Sequence, residues 1–363
     1  MSSRKNLYFS AGPAMIAPEV MIQVHDEFLD YRNMGISVVE LSHRSKEFEA
    51  IVDEAESDLR RLMNIPDNYS VLFMHGGAKT QFDSVPMNIC PENSSTDYIV
   101  TGTWSKLAAV DAEKHVNVHR QVVSKGNLTR VPTPDELKSQ SNVTYRYYCD
   151  NETVQGVEFN YVPVDGNVPL VCDMTSNFLS RPIDVAKFGL IFASAQKNCG
   201  IAGLVVVIVR NDLIGKHRNY TPTIQNYKVM ADTKSLYNTP PTFAIYVAGL
   251  CFKWMLQNGG LEAMDKMSKE KSNLVYEAIE NSNGFYTCPV SKESRSRMNV
   301  VFLLARKELD AEFIVEAAEE GLHELKGHRS VGGFRASLYH GIKFDDVKRL
   351  VNFMNSFRAK NSQ

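Results

Sequence analysis

The sequence holds no CxxC pair and no His/Cys cluster at metal-ligand spacing. Its six cysteines, Cys90, Cys149, Cys172, Cys199, Cys251 and Cys288, lie scattered over 363 residues. That pattern excludes a disulfide scaffold or zinc module and reads as the reduced thiols of a cytoplasmic protein. No stretch approaches the roughly 18 apolar residues of a membrane-spanning helix. The opening MSSRKNLYFSAGPAMIAPEV lacks the continuous apolar segment of a secretory signal. Neither sign of charge dominates: 40 Lys and Arg stand against 42 Asp and Glu, net −2. There is thus no electrostatic case for nucleic acid or an acidic membrane surface. The dinucleotide fingerprint G-x-G-x-x-G follows no strand. HGGAKT invites a phosphate-loop reading, but G-x-x-x-x-G-K-[ST] requires glycines where Phe73 and Ala78 stand.

What is present is alternation. APEVMIQVHDEFLDY and SKEFEAIVDEAESDLRRLMN carry apolar residues at helical spacing, the second led by Ser45 as an N-cap. SVLFMHGG and DYIVTG are strands that enter turns and then helices. VTYRYYCDNET, VPLVCDMTS, GLIFASAQ and GLVVVIVRN supply four more strands. Val205 to Val209 is an unbroken aliphatic run, as in a parallel strand buried on both faces. Strands alternating with helices predict an α/β fold with a doubly wound, mostly parallel sheet. After NTPPTFAIYVAGLCFKWMLQNGG the pattern thins to a helix near Leu261 to Asn281, MNVVFLL, a helix over Asp310 to Leu325, GFRASLY, and a last helix over Phe344 to Arg358. This predicts a large α/β domain over 1–257 and a smaller C-terminal α+β domain over 258–363, with the first residues able to pack on either.

Ligands in α/β sheets sit beyond the carboxyl ends of the strands. Those ends read Gly76-Gly77-Ala78-Lys79-Thr80, Thr103-Trp104, Asn151-Glu152-Thr153, Asp173 and Gln196-Lys197. Singly, each has a plain reading: a solvated loop lysine, a helix-capping aspartate, a core tryptophan. Together they are the parts for holding pyridoxal phosphate (PLP). The lysine forms a Schiff base with the aldehyde and moves the proton between carbon atoms. A buried carboxylate keeps the pyridine nitrogen protonated, an indole stacks on the ring, and turn amides at a helix start hold the phosphate. Asp173 and Lys197 are separated by about one crossover, so they can stand on neighbouring strands.

YFSAGPAMIAPEV, VLFMHGGAKTQFDSVPMN, YYCDNETVQGVEF, SAQKN, YNTPPTF and GHRSVGGFRAS resemble the phosphoserine aminotransferase family, from Asn6 to the final helix. The resemblance implies a fold-type I, class V PLP transaminase, a homodimer with its sites at the subunit interface. Carried across, Lys197 is the Schiff-base lysine, Asp173 the partner of the pyridine nitrogen, Trp104 the ring plate and Thr153 the donor to the phenolic oxygen. Ala78, Lys79 and Gln196 hold the cofactor phosphate, joined by Asn238 and Thr239 of the partner subunit. His43, Arg44, His328 and Arg329 meet the substrate's distal anion, and Arg335 its α-carboxylate. The implied substrates are glutamate and 3-phosphohydroxypyruvate. The family commonly has arginine where this chain has Lys79, which keeps the charge and loses the bidentate fork. A cysteine desulfurase would need a catalytic cysteine on a mobile loop, for which only Cys288 offers itself. A silent scaffold on the same fold would be expected to lose Lys197 or Asp173.

Overall fold

The computed structural model describes residues 4–122, 128–138 and 140–362. Its centre is a seven-stranded sheet: β1 (Tyr69–Gly76), β2 (Ser95–Val100), β3 (Asn117–Val122), β4 (Val143–Cys149), β5 (Leu170–Asp173), β6 (Leu190–Ser194) and β7 (Gly203–Arg210), in the spatial order β1-β7-β6-β5-β4-β2-β3. Six strands run one way. β7 runs against both its neighbours, β1 and β6, which corrects the reading of Val205 to Val209 as a parallel strand. The reason is length. Residues 195–202 separate β6 from β7, too few for the dozen or more of a parallel crossover. Burial on both faces does hold. Leu204, Val206 and Ile208 enter one apolar cluster while Val205, Val207 and Val209 enter another, as the period-2 alternation of a strand requires.

Helices close both faces. Lys46–Met63 and Thr242–Gln257 pack on the Val206 side; Ala78–Ile89 and Thr103–Ala112 cover the Val207 side. Ser45 caps the first of these, its Oγ accepting the Phe48 N–H at 3.2 Å, and Asn64 ends it in the left-handed region at φ 50°. The connection from β5 to β6 departs from the expected helical crossover. It is irregular chain, with turns over residues 175–179 followed by one 3₁₀ turn at Val185–Lys187.

The C-terminal elements form an apolar cluster of their own around Phe302, Phe313, Phe334 and Phe357. It is built on the antiparallel strands Tyr286–Thr287, Asn299–Leu304 and Phe334–Ser337. Leu7 and Phe9 join this cluster, because Leu7–Tyr8 pairs in parallel with Leu322–His323. That pairing also shortens the helix expected over Asp310 to Leu325, which stops at Glu319. Gly321, at φ 75°, turns the chain so close to the N-terminal strand that a Cβ there would stand 2.6 Å from the Lys5 carbonyl.

Charged groups buried between these parts are paired. Arg297 bonds Glu158 at 2.5 Å and also meets Asp265, while Arg181 bonds Asp150 at 2.6 Å. Burial alone would raise Glu158, but Arg297 and Arg181 outweigh it and hold the carboxyl below its ordinary value. Lys271 is held differently, with no carboxylate at salt-bridge distance among the described residues. Fully buried, its Nζ donates to the carbonyls of Leu338, Tyr339 and Ile342 at 2.7, 2.9 and 2.8 Å. Three carbonyls match the three ammonium protons, whereas burial pushes the amine down to about 7. Replacing Lys271 by Met strands all three acceptors and is expected to lower stability by about 3 kcal/mol, read as a shift in the urea unfolding midpoint. An unchanged midpoint would mean that water serves the carbonyls equally well.

Candidate active site

The carboxyl ends of the six co-directional strands and the amino end of β7 share one edge of the sheet. There Gly203 pairs with Gly76, and Val205 with Ser194. A cavity of about 300 Å³ opens at this edge, lined by Gly77, Ala78, Lys79, Trp104, Cys149, Asn151, Thr153, Asp173, Thr175, Ser176, Ser194, Gln196 and Lys197. Seven residues singled out from the sequence therefore meet in one place: Ala78, Lys79, Trp104, Thr153, Asp173, Gln196 and Lys197.

Lys197 is only 9% exposed because the N-terminal segment folds over it. Ala14 N–H bonds the Gln196 carbonyl at 2.9 Å, and a Cβ on Gly12 would stand 3.0 Å from Lys197 Cε. The Tyr339 ring lies 5.7 Å from Nζ, and its hydroxyl donates to the Ala11 carbonyl at 3.0 Å. The amine is thus walled by the beginning and the end of the chain. Nothing in the local SAQKN sequence announces that.

Asp173 ends β5 beside Cys149 of β4. Its Oδ1 accepts the Thr175 N–H at 2.8 Å. Burial pushes the carboxyl up to about 6, against the pull of Thr175 and Lys197. Thr175, Ser176 and Ser194 were missed in the sequence. For Ser194 the signal was its place two residues before Gln196 at one strand end, where its Oγ bonds Gln196 Oε1; nothing local marked Thr175 and Ser176.

Two strand-glycine-helix turns border the cavity, and they differ. At the start of Thr103–Ala112, Glu152 accepts the Trp104 N–H at 2.9 Å, the Ser105 N–H at 2.8 Å and the Ser105 hydroxyl at 2.6 Å. Burial pushes Glu152 up to about 7 despite those donors. At the start of Ala78–Ile89, no side chain accepts from the Ala78 or Lys79 N–H among the described residues. Of the two helix starts, only the second is free to receive an anion.

The other residues singled out from the sequence lie outside the cavity. Asn238 and Thr239 are exposed, and Thr239 Oγ1 stands 3.3 Å from His43 Nδ1, with Arg44 exposed alongside. His328 Nδ1 meets Ser330 Oγ at 2.7 Å, and Ser330 lines a neighbouring cavity of about 370 Å³ with Gly102, Thr103 and Lys106. Arg329 is exposed. Arg335 sits on Phe334–Ser337 with a buried Nε that has no partner among the described residues, and burial lowers its pKa. Such a guanidinium is suited to an incoming carboxylate.

These residues fit PLP. The fully buried, pushed-up carboxyl of Asp173 suits a protonated ring nitrogen, the amine of Lys197 lies on the same cavity, and the open turn at Ala78 suits a phosphate. The folded-state pKa of Asp173 is raised from 3.8 to about 6, so the fold favours the protonated acid. That contribution is present below about pH 4 and lost as pH climbs through 6. Cofactor-free Asp173→Asn is therefore expected to be more stable than the parent at pH 8, by roughly 3 kcal/mol, and equal to it at pH 4. Thermal unfolding at both pH values checks this; equal stability at pH 8 would mean the carboxylate is well solvated.

A family model described as aminotransferase class-V matches residues 6–350. Phosphoserine aminotransferase of Drosophila melanogaster is 49% identical over 358 residues, covering 97% of this chain and 98% of that protein. Phosphoserine aminotransferase 2, chloroplastic, of Arabidopsis thaliana is 48% identical over 366 residues, 99% of this chain and 86% of that protein. The solved structure of PLP-bound phosphoserine aminotransferase from Trichomonas vaginalis superposes with a TM-score of 0.92 at 42% identity, covering 97% of this chain and 100% of that one. The chain belongs to the class-V aminotransferases, in the branch formed by the phosphoserine aminotransferases.

Proposed function

We propose that this protein transfers an amino group reversibly between L-glutamate and 3-phosphohydroxypyruvate, giving O-phospho-L-serine and 2-oxoglutarate in serine biosynthesis. The observation that carries the reading is the meeting of Lys197, Asp173, Trp104 and Thr153 on one cavity beside an uncapped helix start.

PLP, when bound, supplies an electron-accepting ring that takes up the electron pair left when a proton leaves the substrate's α-carbon. Lys197 would hold the cofactor through its amine, and that amine would be the base that takes the proton from the substrate's α-carbon. Asp173 keeps a proton on the ring nitrogen. Trp104 fixes the plane of the ring, and Thr153 donates to its phenolic oxygen. The Ala78 and Lys79 amides and Gln196 hold the phosphate.

Arg335 binds the α-carboxylate, a role supported by its buried Nε, which has no partner among the described residues. His328 and Arg329 meet the distal anion, carboxylate in one substrate and phosphate in the other; forked guanidinium donors suit both. Asn238 and Thr239 are assigned to the phosphate of a partner subunit, in a homodimer. His43 lies against Thr239, so His43 and Arg44 travel with it to that same partner site. The same reading divides the chain at about residue 257, and the separate apolar cluster around Phe302 supports the division. Six unpaired cysteines are in keeping with a reducing compartment such as the cytoplasm. Among the described residues no helix is long and apolar enough to cross a membrane.

The visible spectrum tests the reading. An absorption band from cofactor joined to Lys197 is expected to bleach with glutamate and return with 3-phosphohydroxypyruvate. A band indifferent to glutamate would reject the donor, and Lys197→Ala should lose both band and turnover. Lys79→Arg restores the fork and is expected to tighten phosphate-dependent cofactor binding severalfold; identical affinity would remove Lys79 from the anion contacts.

A further inference from the structure

Two parts of the cavity wall come from segments far apart in sequence. Trp104 opens the helix Thr103–Ala112, and Thr153 sits at the tip of the ribbon in which Asn151–Glu152 pairs with Val157–Glu158. They are joined through the helix's unsatisfied N–H groups. Glu152 takes those of Trp104 and Ser105, and Gln155 takes that of Thr103 at 3.1 Å. Gln155 Nε2 returns a bond to Thr103 Oγ1 at 2.9 Å. Ser105 Oγ, which donates to Glu152, accepts the N–H groups of Thr101 and Gly102 at 3.0 and 3.1 Å. Five successive backbone donors thus end on this small cluster. Gly102 leaves it room, since a Cβ there would overlap the Glu152 side chain.

Glu152 is fully buried and is not among the residues that line the cavity. It is flanked by Asn151 and Thr153, which do line the cavity. A carboxylate accepting from two adjacent N–H groups and a hydroxyl fixes the roll and height of the first helical turn. That turn carries the Trp104 indole. The ribbon tip that supplies the carboxylate carries the Thr153 hydroxyl.

We infer that Glu152 is a positioning residue that sets the Trp104 plate and the Thr153 hydroxyl relative to each other for the cofactor ring. The inference rests on the reading of Trp104 as the surface on which the ring stacks. It also explains why one glycine turn at this edge is closed to anions and the other open. The closed turn holds an aromatic plane in place; the open one receives phosphate.

The chain has two tryptophans, so a Trp254→Phe background leaves Trp104 as the sole indole emitter. Titrating cofactor-free protein with pyridoxal phosphate is expected to quench that emission and give a Kd. Glu152→Ala is expected to raise the Kd at least tenfold and red-shift Trp104 emission before any cofactor is added. Glu152→Gln, which keeps one acceptor, should recover part of both changes, and Ser105→Ala should shift both slightly in the same direction. Tyr286→Phe, which loses a buried bond to the Met354 carbonyl in the C-terminal cluster, controls for lost stability and should leave the Kd unchanged. Kd and emission within twofold of the background in Glu152→Ala, or in both milder variants if that one does not fold, would overturn the inference. So would an equal loss of affinity in Tyr286→Phe. Absence of quenching in the background protein would instead reject the stacking role of Trp104.

Discussion

The parallel pairing of β5 with β6 is the constraint from which the site follows. Register places Asp173 opposite Phe192, so the acid ends its strand just as β6 approaches the turn that carries Lys197. Neither group could be held there by a loop alone. A carboxyl raised by burial and an amine walled in by Gly12 and Tyr339 both prefer water. They stay because the strands behind them, Leu170 to Cys172 and Leu190 to Ala193, are buried on both faces. The apolar sheet holds polar chemistry at an edge that polar chemistry alone would not select.

The short connection between β6 and β7 has a second effect. By turning β7 back, it places the Gly203 end of that strand at the same edge as the carboxyl ends of the others. Lys197 is consequently bordered by strands on both sides. The sheet gives up two parallel pairings, β7 with β6 and β7 with β1, and the lysine occupies a narrow bend where a crossover helix would have carried it away.

Much of this was legible. The aliphatic run at Val205 to Val209 announced a strand buried on both faces, and the five polar strand ends announced the cavity. The direction of β7 could also have been read, since eight intervening residues leave no room for a helix; strand composition says nothing about direction, and composition carried the reading. The end of the helix at Glu319 is marked locally by Gly321, at φ 75°, while the pairing of Leu322–His323 with Leu7–Tyr8 that follows it joins the far end of the chain. The approach of His43 to Thr239 and the grip of Glu152 on Trp104 are equally non-local. Periodicity reports on neighbours along the chain and is silent on which distant turn a side chain will meet.

The segment around Gly12 lies over the amine, yet the strand that leads into it is held by the C-terminal cluster, through Leu7 on Leu322 and Phe9 on the backbone of His323 and Ser337. On the ribosome the sheet and its lysine are made long before Leu322 and Ser337 emerge, and the first residues must wait, undocked, for their partners. The surroundings of Lys197 are therefore among the last parts of the molecule to be finished. A chain cut short before Leu322 would carry the lysine without the strand partner that anchors its roof.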